Sequence, residues 1–233
     1  MARVYYFFDV EVFDVPEPYG LRTEQQLTFP GMGKDADPIT ELKLIKKNFY
    51  INLHQYSCIH EVVDKKPRRF GGEPAYYPNS ITGADKPCNV FYDWESRQLI
   101  FQGARRVAFG AMRRLIKQYP KQINVSSGEI DFSFLIENTK SVIVGTWFSG
   151  LNGQVKSIGM FGDRVNLDER FELYQRLGAM TALYLEITPM GNPKPCKIMI
   201  SKDRGVVIHE DWTIEQDLEF LLKIKPLLFG KTK

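Results

Sequence analysis

The sequence predicts an α+β fold, a mixed or mainly antiparallel sheet with about four helices packed on it. Three observations lead there. Period-2 apolar stretches stand beside one another, at residues 89–92 and 98–101 and again at 181–188 and 197–209, instead of alternating with helices one for one. A few 3.6-period stretches carry helix start and stop signals. The composition, 43% hydrophobic and 25% charged, is that of a globular chain with enough apolar material for a core. The 233 residues read as a single α+β domain, 1–233, with long loops at 16–38 and 64–88.

Residues 4–15 alternate like a strand, with Tyr6, Phe8, Val10 and Val12 on one face and Phe7, Asp9, Glu11 and Phe13 on the other; Pro16 and Pro18 end it. The polar residues 19–38 form the first loop. Residues 39–47 read as a short helix with Asp37 as N-cap and Pro38 at its first position. A long alternating strand follows over 50–63, and Pro, Gly and charge mark 65–85 as the second loop. Asp93-Trp94-Glu95-Ser96 joins 89–92 to 98–101 as a hairpin, and a helix spans about 104–119 up to Pro120. Residues 130–148 are an apolar, β-branched stretch, 166–177 a helix stopped by Gly178, and 181–188 and 197–209 strands, the second turning at Asp203-Arg204-Gly205. A Thr213-capped amphipathic helix over 213–225 closes the chain. There is no internal repeat.

Composition also bounds function. Thirty-one Lys and Arg against 28 Asp and Glu leave a charge of +3, which permits an anionic partner without demanding one. Cys58, Cys88 and Cys196 form no C-x-x-C pair and are odd in number, so reduced thiols and a cytoplasmic location are expected. No apolar stretch has membrane-spanning length and residues 1–8 lack a signal-peptide layout, so no membrane partner is expected.

The helix over 104–119 carries the strongest functional signal. At about 100° per residue, Arg106, Arg113 and Lys117 stack along the side opposite its apolar face, with Arg114 at the edge and Gly110 inside the stripe. No acidic residue occurs between Gly103 and Ile123, whereas a merely solvated face would mix signs. Guanidinium groups offer paired planar donors that suit phosphate, and a glycine among them would let an anion approach the backbone. Lys65, Lys66, Arg68 and Arg69 form a second cationic cluster, followed by Phe70, Tyr76 and Tyr77, the composition of a phosphate-tracking, base-stacking arm. Lys43, Lys46 and Lys47 form a weaker patch. His54, Cys58 and His60 do not converge on one metal ion, because on a strand residues 54 and 60 lie roughly 20 Å apart.

Phe8-Asp9-Val10-Glu11 resembles the opening D-x-E motif of DEDD-type 3′-5′ exonucleases; residues 130–135 are similar to that family's second motif, and Asp217 stands where its final aspartate would. The resemblance implies Asp9, Glu11, Asp131 and Asp217 holding two Mg²⁺ ions that activate a water. Val12 replaces the family's usual threonine, the intervening lengths depart from the pattern, and His209 lies eight residues before Asp217 instead of about five. A second resemblance covers more of the chain. Residues 89–119, 157–162, the helix to Gly178 and residues 196–207 are similar in layout to uncharacterised proteins of bacterial antiphage-defence and mobile-element clusters. It implies a context and transfers no site residues.

Together these readings favour a non-enzymatic component without cofactor that contacts DNA or RNA phosphates, a protein partner, or both. The metal-dependent exonuclease and a protein-interaction subunit without nucleic-acid binding are the alternatives, and homo-oligomerisation stays open.

Overall fold

The computed structural model describes residues 2–24, 38–64, 80–82, 87–188 and 195–230. Its secondary structure is strand-rich α+β with antiparallel ladders, as the side-by-side strand patterns predict. Among the described residues no helix is long and apolar enough to cross a membrane. Contacts gather the chain into two compact units, Phe8–Ser126, and Met1–Phe7 with Ser127–Lys233. Strand β1 (Arg3–Phe13) contributes residues to both.

In Phe8–Ser126 the sheet runs β2 (Leu21–Arg22), β3 (Thr40–Tyr50), β4 (Leu53–His60), β7 (Cys88–Asp93), β8 (Gln98–Gln102) and then β1, which also pairs with β9 (Ile123–Ser126). A two-stranded ladder joins β5 (Val62–Asp64) to β6 (Ser80–Thr82), so part of the expected second loop is strand. The predicted hairpin at 89–101 is present: β7 and β8 pair from Val90↔Phe101 to Asp93↔Gln98, and the Asp93 carboxylate accepts the Ser96 N–H at 3.1 Å. Helix α1 (Arg105–Gln118) follows as expected, burying Ala108, Ala111, Met112 and Leu115.

The short helix expected over 39–47 is instead the first half of β3. Ile39, Leu42 and Ile45 fit helical spacing, but Thr40 and Leu42 fit a strand, and both are fully buried, opposite His60 and Cys58 of β4. A backbone ladder along β4 together with two-residue burial outweighs the local capping signal. The proposed N-cap Asp37 lies outside the described residues.

In the other unit the order is β11 (Ser157–Phe161), β10 (Val142–Ser149), β12 (Ala179–Ile187), β13 (Cys196–Ser201), β14 (Gly205–Ile208) and the start of β1, where Arg3↔Ile208 and Tyr5↔Val206 face each other. The apolar stretch from residue 130 does not enter a strand directly. Asp131 caps α2 (Phe132–Asn138), its carboxylate accepting the Phe134 N–H at 3.1 Å, and β10 begins afterwards. Helix α3 (Glu169–Leu177) starts three residues later than the sequence pattern, because Asp168 rather than an upstream residue caps it and a single 3₁₀ turn, Val165–Leu167, precedes it. Phe148 of β10 meets Phe171 of α3 edge to face at 5.6 Å. Helix α4 (Ile214–Phe229) has a full capping box, Thr213 accepting from Gln216 N–H and donating its own N–H to the Gln216 side chain at 2.9 Å. It continues through Pro226 beyond its expected end, and Phe229 packs against Phe7 at 5.2 Å.

The strand assignment of residues 40–50 is directly measurable by urea unfolding. Leu42→Ala removes a fully buried side chain and is expected to cost about 2–5 kcal/mol, whereas Ile45→Ala, at a position 58% exposed, should change stability by less than about 0.5 kcal/mol.

Candidate nucleic-acid interface

Helix α1 lies against β4, and the contact that sets its distance is between Gly110 and His60. A Cβ at Gly110 would fall onto the His60 imidazole at Nε2. The ring is buried, with Nδ1 2.8 Å from the Thr40 hydroxyl. Burial, with the Arg114 guanidinium adding to it, lowers the His60 pKa to about 4, so the imidazole is neutral at pH 7. This corrects one reading of the cationic stripe: the space over Gly110 is filled by His60 and leaves no room for an anion at the backbone. The glycine there serves helix–sheet packing.

Arg114 has a structural duty too. Its Nε donates to the Pro38 carbonyl at 3.2 Å and another guanidinium nitrogen to the Glu24 carbonyl at 2.5 Å, tying residues 24 and 38 to the helix. Arg106, Arg113 and Lys117, by contrast, are exposed on the outer side of α1 as the helical periodicity predicts. Among the described residues neither Arg106 nor Arg113 takes part in an ion pair. Arg105, one position away, stacks over the Phe109 ring at 4.8 Å. The helix has no acidic residue in its first turn, and Ala104 gives no side-chain cap, so nothing on α1 neutralises the row.

The second cationic cluster, Lys65, Lys66, Arg68 and Arg69, lies outside the described residues, as do Phe70, Tyr76 and Tyr77. Of the weaker patch, Lys43 is exposed on β3, Lys46 stands over the Phe49 ring at 5.6 Å, and Lys47 pairs with Glu17 at 2.7 Å.

The four carboxylates of the exonuclease-like pattern take up separate structural tasks. Asp217 is fully buried on α4; Arg3 grips both of its oxygens and the Tyr5 hydroxyl donates to Oδ2. Burial and that hydrogen bond push the Tyr5 pKa far up, so the phenol keeps its proton. Asp131 is the α2 cap. Asp9 accepts from the Gln98 amide at 3.1 Å, and Glu11 accepts from Asn124. The β1–β9 register shifts between Val10 and Val12, so the two-residue alternation that would align Asp9 with Glu11 is broken at Glu11. Asp9 and Glu11 belong to Phe8–Ser126, Asp131 and Asp217 to the other unit. Among the described residues no group of three or more His, Cys, Asp or Glu side chains is placed to hold a metal ion. With both Asp217 oxygens committed to Arg3 and Tyr5, the residues do not fit a two-Mg²⁺ centre, and no step through Mg²⁺ follows from them.

No protein-family model and no curated protein matches this chain.

Sequence reasoning missed the Thr40–His60–Gly110 arrangement and the facing thiols Cys58 and Cys88, which oppose each other across β4 and β7. All three cysteines are free. Burial raises the Cys58 and Cys88 thiols above their usual range and raises Cys196 to about 11. Reading 40–47 as a strand would have aligned Thr40 with His60; the Cys58–Cys88 pairing has no local signal, since it depends on the register of strands about thirty residues apart.

Two measurements check this packing. A buried His whose folded pKa is depressed resists a proton that the unfolded chain accepts near 6.5. Stability is therefore full above about pH 6.5 and falls as pH drops toward about 4, by roughly 3 kcal/mol from this residue. Urea midpoints across that window should show the decline, reduced in His60→Gln. Gly110→Ala offers the second: at an open helix position it would stabilise by about 1 kcal/mol, whereas the imidazole contact predicts destabilisation.

Proposed function

We propose that this protein is a non-enzymatic nucleic-acid-binding component that holds phosphates on the outer side of α1, within a prokaryotic defence or mobile-element assembly of the kind its sequence layout resembles. The observation that carries the reading is the exposure of Arg106 and Arg113 in one row with Lys117, on a helix without acidic residues. Arg106 and Arg113 sit two turns apart, a rise of about 10 Å on a helix axis, which spans more than one phosphate step along either a single strand or a duplex. Lys65, Lys66, Arg68 and Arg69 extend the cationic surface in this proposal.

Contacts of this sort go to the backbone of the polymer. They give affinity with little sequence preference, and each phosphate neutralised releases counterions.

The experiment is a fluorescence-anisotropy titration with labelled single-stranded DNA, duplex DNA and RNA over a salt series. Binding is expected to weaken steeply between about 50 and 200 mM salt. Arg106→Glu/Arg113→Glu should reduce affinity at least about tenfold and flatten the salt slope by roughly two phosphate equivalents. Affinity indifferent to both salt and charge reversal would remove α1 as the contact surface.

A further inference from the structure

We propose that the open face of strands β10, β11 and β12 is a base-stacking platform for single-stranded nucleic acid, with Phe161 as the ring against which an unpaired base lies. The inference rests on the nucleic-acid reading above and adds a selectivity for single strands that a row of cations does not supply.

The two faces of this sheet differ. On one, Thr146, Phe148, Leu183, Leu185, Ile198 and Ile200 are buried, and Phe171 of α3 packs on Phe148. The other face alternates with it residue by residue. It carries Phe161, 59% exposed, and Trp147, 39% exposed, beside half-buried Tyr184 and Met199. Rings gathered in water in this way are what a binding surface presents.

The seat of Phe161 is made by two glycines. Phe161 stands opposite Gly145 of β10, which stands in turn opposite Tyr184 of β12. A Cβ at Gly145 would fall 2.6 Å from Phe161 Cδ1, and one at Gly159 would fall 2.8 Å from its Cε2. Those atoms are opposite corners of the ring, so the ring spans the space that two side chains would otherwise take. Trp147 at 5.9 Å and Tyr184 at 5.3 Å meet it edge to face and fix its orientation. A ring already held in place loses little freedom when a ligand stacks on it.

Charge identifies the occupant. Strands β10, β11, β12 and β13 contain two charged residues, Glu186 and Lys197, which face each other and are bridged at 3.7 Å. No unpaired carboxylate within these strands repels a polyanion. Exposed Lys156 immediately precedes β11, and exposed Arg164 follows three residues after its end, beside Asp163. Among the described residues neither Lys156 nor Arg164 takes part in an ion pair. A neutral aromatic centre with cations at its margins matches planar bases strung on phosphates. In a duplex each base is already stacked on both faces, so only an unpaired base can use such a ring.

Fluorescence anisotropy on the full chain tests this with three labelled strands of equal length: oligothymidylate, oligouridylate and an abasic strand that keeps the phosphates and lacks the bases. The abasic strand should bind about tenfold more weakly than the better of the other two, which identifies DNA or RNA as the source of the base. Phe161→Ala should weaken binding of that strand about tenfold with an unchanged salt slope, leave abasic binding as it was, and be rescued by Phe161→Tyr. Wild-type affinity indifferent to the presence of bases overturns the proposal without any variant. So does a Phe161→Ala protein that keeps its circular dichroism and binds as before. In either case a response to Arg106→Glu/Arg113→Glu leaves the α1 reading standing, whereas absence of binding to every strand removes both. Phe161-dependent dimerisation in sedimentation velocity, or Phe161-dependent retention on immobilised polysaccharide, without a preference for bases would give the face another occupant and overturn the proposal as well.

Discussion

The placement of α1 depends on one close approach, that of the Gly110 backbone to the His60 ring. Any side chain at 110 would hold the helix away from β4, and any larger or charged group at 60 would do the same from below. Because helical positions are locked to one another at about 100° per residue, Arg106, Arg113 and Lys117 flank the Gly110–His60 contact, and the apolar face lies on the far side of the helix from it. Ala108, Ala111, Met112 and Leu115 are carried into the core, and Arg106, Arg113 and Lys117 are carried out of it. Arg114, between the two, is left at the height where it can tie down the carbonyls of Pro38 and Glu24.

The buried ion pair on α4 shows the opposite economy. An isolated carboxylate with no solvent exposure would be strongly disfavoured, and Asp217 is tolerated because Arg3 meets it in bidentate fashion and Tyr5 supplies a further donor. A carboxylate so fully engaged is poor metal-ligand material. The acidic residues that resemble a nuclease set in the linear chain are each consumed locally, as a helix cap, a cross-strand acceptor or a salt-bridge partner.

Elements whose signal is local were legible. The β7–β8 hairpin, the α1 amphipathic stripe, the β13–β14 turn and the Thr213 cap all rest on residues within a few positions of one another. Residues 39–47 were not, since Leu42 and Ile45 satisfy helical spacing and the decision rests with Cys58 and His60 on the neighbouring strand. The α2 cap at Asp131 was overlooked because the run of apolar residues after it resembles a strand until the helical turn is drawn. Of the candidate site, the exposure of Arg106, Arg113 and Lys117 could be read from periodicity. The role of Gly110 could not, because a glycine within a charged stripe says that something comes close but not whether that something is a ligand or the protein itself.

The three thiols, two buried and one half-buried, carry a practical corollary. Cys58, Cys88 and Cys196 are all held well toward the protonated form, and the thiolate is the species that reacts with maleimides and iodoacetamides. Burial thus slows such reagents at Cys58 and Cys196, and half-buried Cys88 is the natural thiol that a labelling experiment on this chain would replace first.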